Sequence, residues 1–175
     1  MRTELRKISE EDYRVYGLSE GEFAQAIGLS RLLARGQKEL YRQHAEKVRR
    51  EQPELADDIL DDIAYSTYLD TQSIWHFALW RLQAVFEGLI VHTFLKRPRG
   101  DGLSGLRKKL EAMVEAGFPL AESDRDDLLA WGRVRNALSH APPEWTQSSI
   151  LTEEDVVEYR DLVVRICRDW RKGDG

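Results

Sequence analysis

From Ile74 to Leu95 the chain runs through apolar residues almost without a break, yet His76, Arg81, Glu87 and His92 interrupt the run. A membrane span of about 20 residues rarely holds charges at that depth. The stretch is therefore read as a helix inside a soluble fold. Its apolar positions (Ile74, Trp75, Phe77, Leu79, Trp80, Leu82, Val85, Phe86, Leu89 and Ile90) occupy almost every direction of a helical wheel, the mark of a central element wrapped by others. No segment alternates with period two, so the chain is expected to be all-α, a bundle of five to six helices.

Helix signals flank this centre. Ser19-Glu20-Gly21-Glu22 has the form of a capping box opening a helix towards Arg50, with Phe23, Ile27, Tyr41 and Val48 at helical spacing and Gly36 as a place to bend. Pro53 suits the first turn of a second helix with Leu55, Ile59 and Ile63 on one side, and Thr71 opens or continues the helix that reaches Leu95. Arg97-Pro98-Arg99-Gly100-Asp101-Gly102 reads as a loop. Ser104 caps a short helix ending at Gly117 and Pro119. Ser123 caps the next, which Pro142-Pro143 stops near His140. Thr152 caps the last, with Val156, Tyr159, Val163, Ile166 and Trp170 inward. The expected organisation is one domain over residues 1–175, with 1–52 an N-terminal helical extension and 53–172 the core bundle; there is no internal repeat and no low-complexity tract.

With 175 residues the chain is long enough to bury one core, and its five Trp offer large anchors. The net charge of −5 argues against indiscriminate nucleic-acid binding, so any such contact must be local. A single Cys, Cys167, excludes an intrachain disulfide and a Cys-based zinc site and fits a reducing cytoplasm. Met1 to Glu11 is charged and lacks a signal-peptide core.

The segment Arg135-Asn136-Ala137-Leu138-Ser139-His140 carries the chemistry. At about 100° per residue, Ala130, Val134, Leu138 and Ala141 share a core face with Trp131 at its edge. Asn136 and His140 stand one turn apart on the opposite face, flanked by Gly132 and Ser139, and Arg135 lies at the border. The same pattern would serve a helix end whose His caps carbonyls and favours the dipole. Functionally it suits metal-free RNA cleavage. The ribose 2′-OH is its own nucleophile, an imidazole near pH 7 exchanges protons, and a guanidinium holds the phosphate. Asn136 would orient the phosphate or His140. Five residues place Arg135 and His140 about 140° and about 7.5 Å apart on an ideal helix. One copy converges poorly on a single phosphate, whereas two facing copies, with the small Gly132 and Ser139 between them, converge better.

Arg135-Asn136 followed three residues later by Ser139-His140-Ala141-Pro142, late in an all-α domain and before a final amphipathic helix, resembles the HEPN superfamily, whose signature is an Arg and a His separated by four to six residues with a polar residue after the Arg. The likeness runs over about Asp70 to Trp170. It implies a helical bundle, a homodimer with facing motifs and, in many members, metal-independent endoribonuclease activity in toxin–antitoxin, CRISPR-linked or antiphage systems, with an antitoxin or defence protein as partner. Other members have lost catalysis and serve as binding or assembly modules. The resemblance calls for no cofactor. Toxins paired with a nucleotidyltransferase antitoxin often carry Tyr two residues after the His; here that position is Pro142, a departure from that subfamily.

Asp57-Asp58-Ile59-Leu60-Asp61-Asp62 places carboxylates one turn apart, as in Mg²⁺-binding helical enzymes, but no second cluster follows, and an acidic solvated face after Pro53 is the favoured reading over a metal-dependent enzyme. Lys96, Arg97, Arg99, Arg107, Lys108 and Lys109 against Asp101 give a local charge of +5, which with Arg133 and Arg135 forms a candidate RNA-tracking patch or a solvated face. Glu87, inside the apolar run, needs a partner: Arg81, or Arg135 from beneath. His76 and His92 are too far apart to chelate together and are expected in or near the core. No phosphate-binding Gly-rich loop or Ser/His/Asp arrangement appears.

Overall fold

The computed structural model describes residues 20–97, 103–140 and 150–173. Five α-helices account for them: α1 (Gly21–Glu51), α2 (Ala56–Leu89), α3 (Leu106–Glu115), α4 (Glu122–His140) and α5 (Glu153–Gly173). Among the described residues there is no strand, and no helix is long and apolar enough to cross a membrane.

Helices α1 and α2 form a long antiparallel hairpin. Gln52 ends α1, donating its N–H to the Val48 carbonyl, and a 3₁₀ turn at Pro53–Leu55 leads into α2. The second helix and the central helix expected from Thr71 are thus one continuous element of 34 residues. At the hairpin end Ala45, Ala56 and Leu60 form a small cluster with Val48. Leu55, expected on the inward side, is 57% exposed: the 3₁₀ turn shifts the helical phase, and Ala56 and Leu60 take the inward positions. Ser19 lies outside the described residues; α1 starts with Glu20 as cap residue and no side-chain cap bond.

The main core gathers Phe23 and Ile27 from α1, Trp75, Leu79, Leu82, Phe86 and Leu89 from α2, Leu110 and Met113 from α3, Leu128 from α4, and Val156, Tyr159, Val163, Ile166 and Trp170 from α5. Each such side chain contributes about 1.5–3 kcal/mol on burial. Trp170 sits at its centre, stacked on Phe86 at 5.8 Å and meeting Phe94 edge-on at 5.1 Å, and its Nε1–H donates to the Pro119 carbonyl at 2.7 Å. Cys167 is buried there too, and burial pushes its thiol up to about 12.

Two expectations about α2 are corrected. Phe77 is 58% and Trp80 45% exposed, so the helix is not buried all round. One of its faces is left uncovered although its residues are as apolar as the rest. His92 is exposed rather than in the core, while His76 is half-buried.

At its end α2 passes into a π turn, Ile90–Phe94, where Leu95 N–H reaches back to the Ile90 carbonyl and Arg97 N–H to Val91. Lys96 takes φ 50 there. Residues 98–102 of the expected loop, including Arg99, lie outside the description. Helix α3 is entered through Gly105 at φ 84 with no side-chain cap, so Ser104 does not cap it. It ends before Gly117 at φ 88, a left-handed position glycine occupies without strain. Helix α4 begins at Glu122, one residue before the expected cap Ser123. Pro142-Pro143 falls outside the described residues. Helix α5 opens as expected: Thr152 Oγ accepts from Asp155 N–H at 3.2 Å, and the Asp155 carboxylate accepts from Thr152 N–H at 2.8 Å.

Asp124, in the first turn of α4, receives both guanidinium nitrogens of Arg165 on α5 at 2.8 Å. Those hydrogen bonds hold its carboxyl below the usual carboxylate range. A depressed folded value stabilises fully above the unfolded value near 4 and is lost as pH falls through the lowered one. Asp124→Asn is therefore expected to destabilise the fold at pH 7 by about 1 kcal/mol or less, because the Arg165 end of the pair is exposed, and so to lower the melting temperature. The difference from wild type should shrink in thermal melts as pH falls below about 4.

Candidate functional site

Arg135 stands on the fourth turn of α4 and His140 at its last residue. What the helix turns inward decides what the motif can do. Leu128 is fully buried, and Gly132 faces Gln83 of α2 and Leu106 of α3: a Cβ there would lie 3.2 Å from the Leu106 side chain and 3.4 Å from the Gln83 amide nitrogen. The inward line therefore runs through Leu128 and Gly132, while Ala130, Val134 and Leu138 are only half-buried. Of the expected core face Ala130, Val134, Leu138 and Ala141, Val134 and Leu138 do pack against the main core, as does Trp131 at its edge, while the buried positions are Leu128 and Gly132. Ala141 lies outside the described residues. Gly132 is used for close packing within the chain, not on an outer polar face.

Arg135 is half-buried at the border, as expected. Its Nη1 donates to the Asn136 side-chain oxygen at 2.8 Å, and its Nε is buried without a hydrogen-bond partner among the described residues. Asn136 thus steers the guanidinium by its carbonyl and keeps its NH₂ for another group. Ser139 Oγ donates to the Arg135 carbonyl at 2.9 Å. Arg133, Asn136, Ala137 and Ser139 form an exposed strip. His140 contributes its backbone to the last turn; its side chain lies outside the described residues.

Beneath the helix is a polar layer that the sequence reading found only in part. Glu87 pairs with Lys109 at 2.5 Å, both side chains 14% exposed, so Lys109 leaves the proposed basic patch for an internal ion pair. The alternative partner Arg81 is bound to Glu22 of α1 instead. Tyr159 of α5 packs its ring against Trp131 at 5.5 Å, one turn before Arg135. Its hydroxyl is buried and unpartnered among the described residues, as is the Gln83 side-chain oxygen. Burial raises the Tyr159 hydroxyl well above the usual range; the charge of Glu87 adds to this and that of Arg135 opposes it. Tyr159 therefore stays protonated, with a negative and a positive charge close by. Gln83 was detectable as the one amide in the apolar run; Tyr159 gave no signal beyond an inward position.

Of the remaining basic residues, Lys96, Arg107 and Lys108 are exposed and Arg97 half-buried. Asp57, Asp58, Asp61 and Asp62 are all exposed on α2, and no three metal-ligating groups converge among the described residues. An open cleft of about 660 Å³ between α4 and α5 is lined by Asp127, Glu154, Glu158 and Asp161 with Arg165, too acidic a lining for a polyanion. Compared with known proteins, the chain matches no family model, no curated protein and no solved structure.

Proposed function

We propose that the chain is a metal-independent endoribonuclease of the HEPN type, acting in a toxin–antitoxin or antiphage setting with an antitoxin or defence protein as partner. The observation that carries the reading is the Arg135–Asn136 hydrogen bond on the exposed strip of α4, one turn before the helix-terminal His140. A guanidinium held by a neighbouring amide is oriented before substrate arrives, which favours a phosphate clamp over a mobile surface charge.

In the reaction, His140 takes the proton of a ribose 2′-OH and the 2′-oxygen attacks the adjacent phosphorus. The bond to the 5′-oxygen breaks, and that oxygen leaves with a proton supplied by an imidazolium. The products are a 2′,3′-cyclic phosphate and a 5′-hydroxyl. Arg135 offsets the charge gathering on the phosphoryl oxygens. Because Arg135 and His140 diverge by about 140° on one helix, the site is composite, built from α4 helices of two copies. Gly132 does not make room for that approach, since it is buried; Asn136, Ala137 and Ser139 are the exposed residues that would meet the partner copy. Arg107 and Lys108 extend the positive surface along α3 for RNA.

The test is incubation of purified protein with total RNA in EDTA. Cleavage should persist at the rate seen without chelator, since the nucleophile belongs to the substrate. Loss in EDTA with recovery on Mg²⁺ would move the chemistry to the Asp57–Asp62 carboxylates. Binding of RNA without cleavage would make the chain a silent binding module.

A further inference from the structure

On α1 a second apolar seam runs beside the buried one. Ala26, Leu29, Leu33, Gly36 and Leu40 recur at alternating three- and four-residue intervals, and Leu29, Leu33 and Leu40 are 51%, 48% and 52% exposed. Across from it α2 presents Phe77 and Trp80, also exposed. Between the two helices lies an open groove of about 590 Å³ whose lining is mostly apolar. Exposed contiguous apolar surface of this kind marks an interface. The spacing of the α1 seam is that of helices packing on helices.

Gly36 leaves a hollow in this seam: a Cβ there would meet nothing within 4 Å, so the position is open to a side chain arriving from outside.

We propose that this face binds a second copy of the chain, two α1–α2 hairpins packing across a two-fold axis into a four-helix bundle. A two-fold contact requires one surface to be both knob and hole and to tolerate its own charge. This face has knobs in Phe77 and Trp80 and a hole at Gly36. Since the hairpin is antiparallel, with Glu22 paired to Arg81 at one end, a head-to-tail two-fold lays the aromatic end of one copy over the Gly36 end of the other. The groove's charges, Glu22 and Arg81, already neutralise each other, so its own copy meets no repulsion and a partner recognised by charge finds nothing to hold. Glu22 to Leu40 spans about 27 Å along the axis, and two helices are about 20 Å wide. That footprint of about 540 Å² per partner, about 1,100 Å² over the two copies, clears the about 1,000 Å² expected of a biological interface. The surface is separate from the exposed strip of α4. A chain that uses both forms a dimer of dimers.

The experiment is mass by sedimentation equilibrium at about 50 μM, where assembly follows mass action. Gly36→Leu, whose Cβ meets nothing of its own chain within 4 Å, and Phe77→Glu are each expected to halve the wild-type mass while circular dichroism keeps the full helix content. Gly28→Ala serves as control: it is on α1, equally unobstructed and outside the seam, and should leave the mass unchanged. A monomeric wild type, or a Gly36→Leu protein of wild-type mass, overturns the proposal. RNA cleavage reads the α4 proposal separately. A tetramer halved to an active dimer supports both; a dimer halved to a monomer supports this face and removes the composite site.

Discussion

His140→Ala is expected to lower RNA cleavage by about 10²–10⁴-fold, the contribution of a positioned proton-transfer group, with the helix content unchanged. His140 is the last residue of α4, where alanine is a good helix former. Arg135→Ala should also abolish cleavage, but differently. It removes the phosphate clamp, so RNA binding weakens as well, and it leaves the Asn136 oxygen without its donor. Arg135→Lys separates charge from geometry: lysine keeps the charge but not the planar fork, and should restore binding more than rate. A 2′-deoxyribose at the scissile position should block cutting there, and wild-type products should end in 2′,3′-cyclic phosphate. If His140→Ala cuts as fast as wild type, His140 is not the proton-transfer group and the binding module becomes the better account.

Trp170→Ala is expected to cost about 3–5 kcal/mol, a large share of the about 5–15 kcal/mol that holds a domain together. The indole is fully buried and touches rings from three elements: Phe86 of α2, Phe94 of the π turn and Phe118 after α3. Its Nε1–H also satisfies the Pro119 carbonyl at 2.7 Å. Removing it vacates the space where α5 and the chain between α3 and α4 meet, and leaves that carbonyl without its donor. Trp170→Phe keeps most of the volume and loses the hydrogen bond, and should cost about 1–3 kcal/mol. Urea unfolding of the two variants separates the terms. Equal stabilities would mean that packing is not the dominant one.

How much was readable in the sequence follows the contrast between helix faces. Helix α5 was legible from Thr152 to Trp170 because its cap uses side chains in a fixed pattern and its apolar residues fall on one face. Helix α2 was legible as a helix, but not in what it covers: a wheel apolar on every side cannot tell Leu82, fully buried, from Phe77, more than half exposed. That distinction depends on which neighbours arrive. Helix α4 misled in another way. Its inward line contains a glycine and borders an arginine, so a reading from the larger apolar residues found Trp131, Val134 and Leu138, which pack against the core, but put Gly132 on the outer face. The ion pair of Glu87 with Lys109 joins two helices through tertiary folding, and no local pattern announces it. Arg135 and Asn136 were legible as neighbours in a motif, but Asn136 was expected to orient the phosphate or His140, whereas its side-chain oxygen holds Arg135.

The π turn at Ile90–Phe94 has a consequence for reading relatedness. It behaves as a phase shifter: one extra residue is taken up in a single turn, so the angular frame that holds from Ala56 to Leu89 does not carry on to Phe94. Phe94 reaches Trp170 in this shifted frame. A homologous chain with an unbroken α-helix at this point would be one residue shorter here and would align with a gap inside a helix. A comparison that forbids such gaps would put Phe94 on the wrong side of the helix and miss the equivalence of the core.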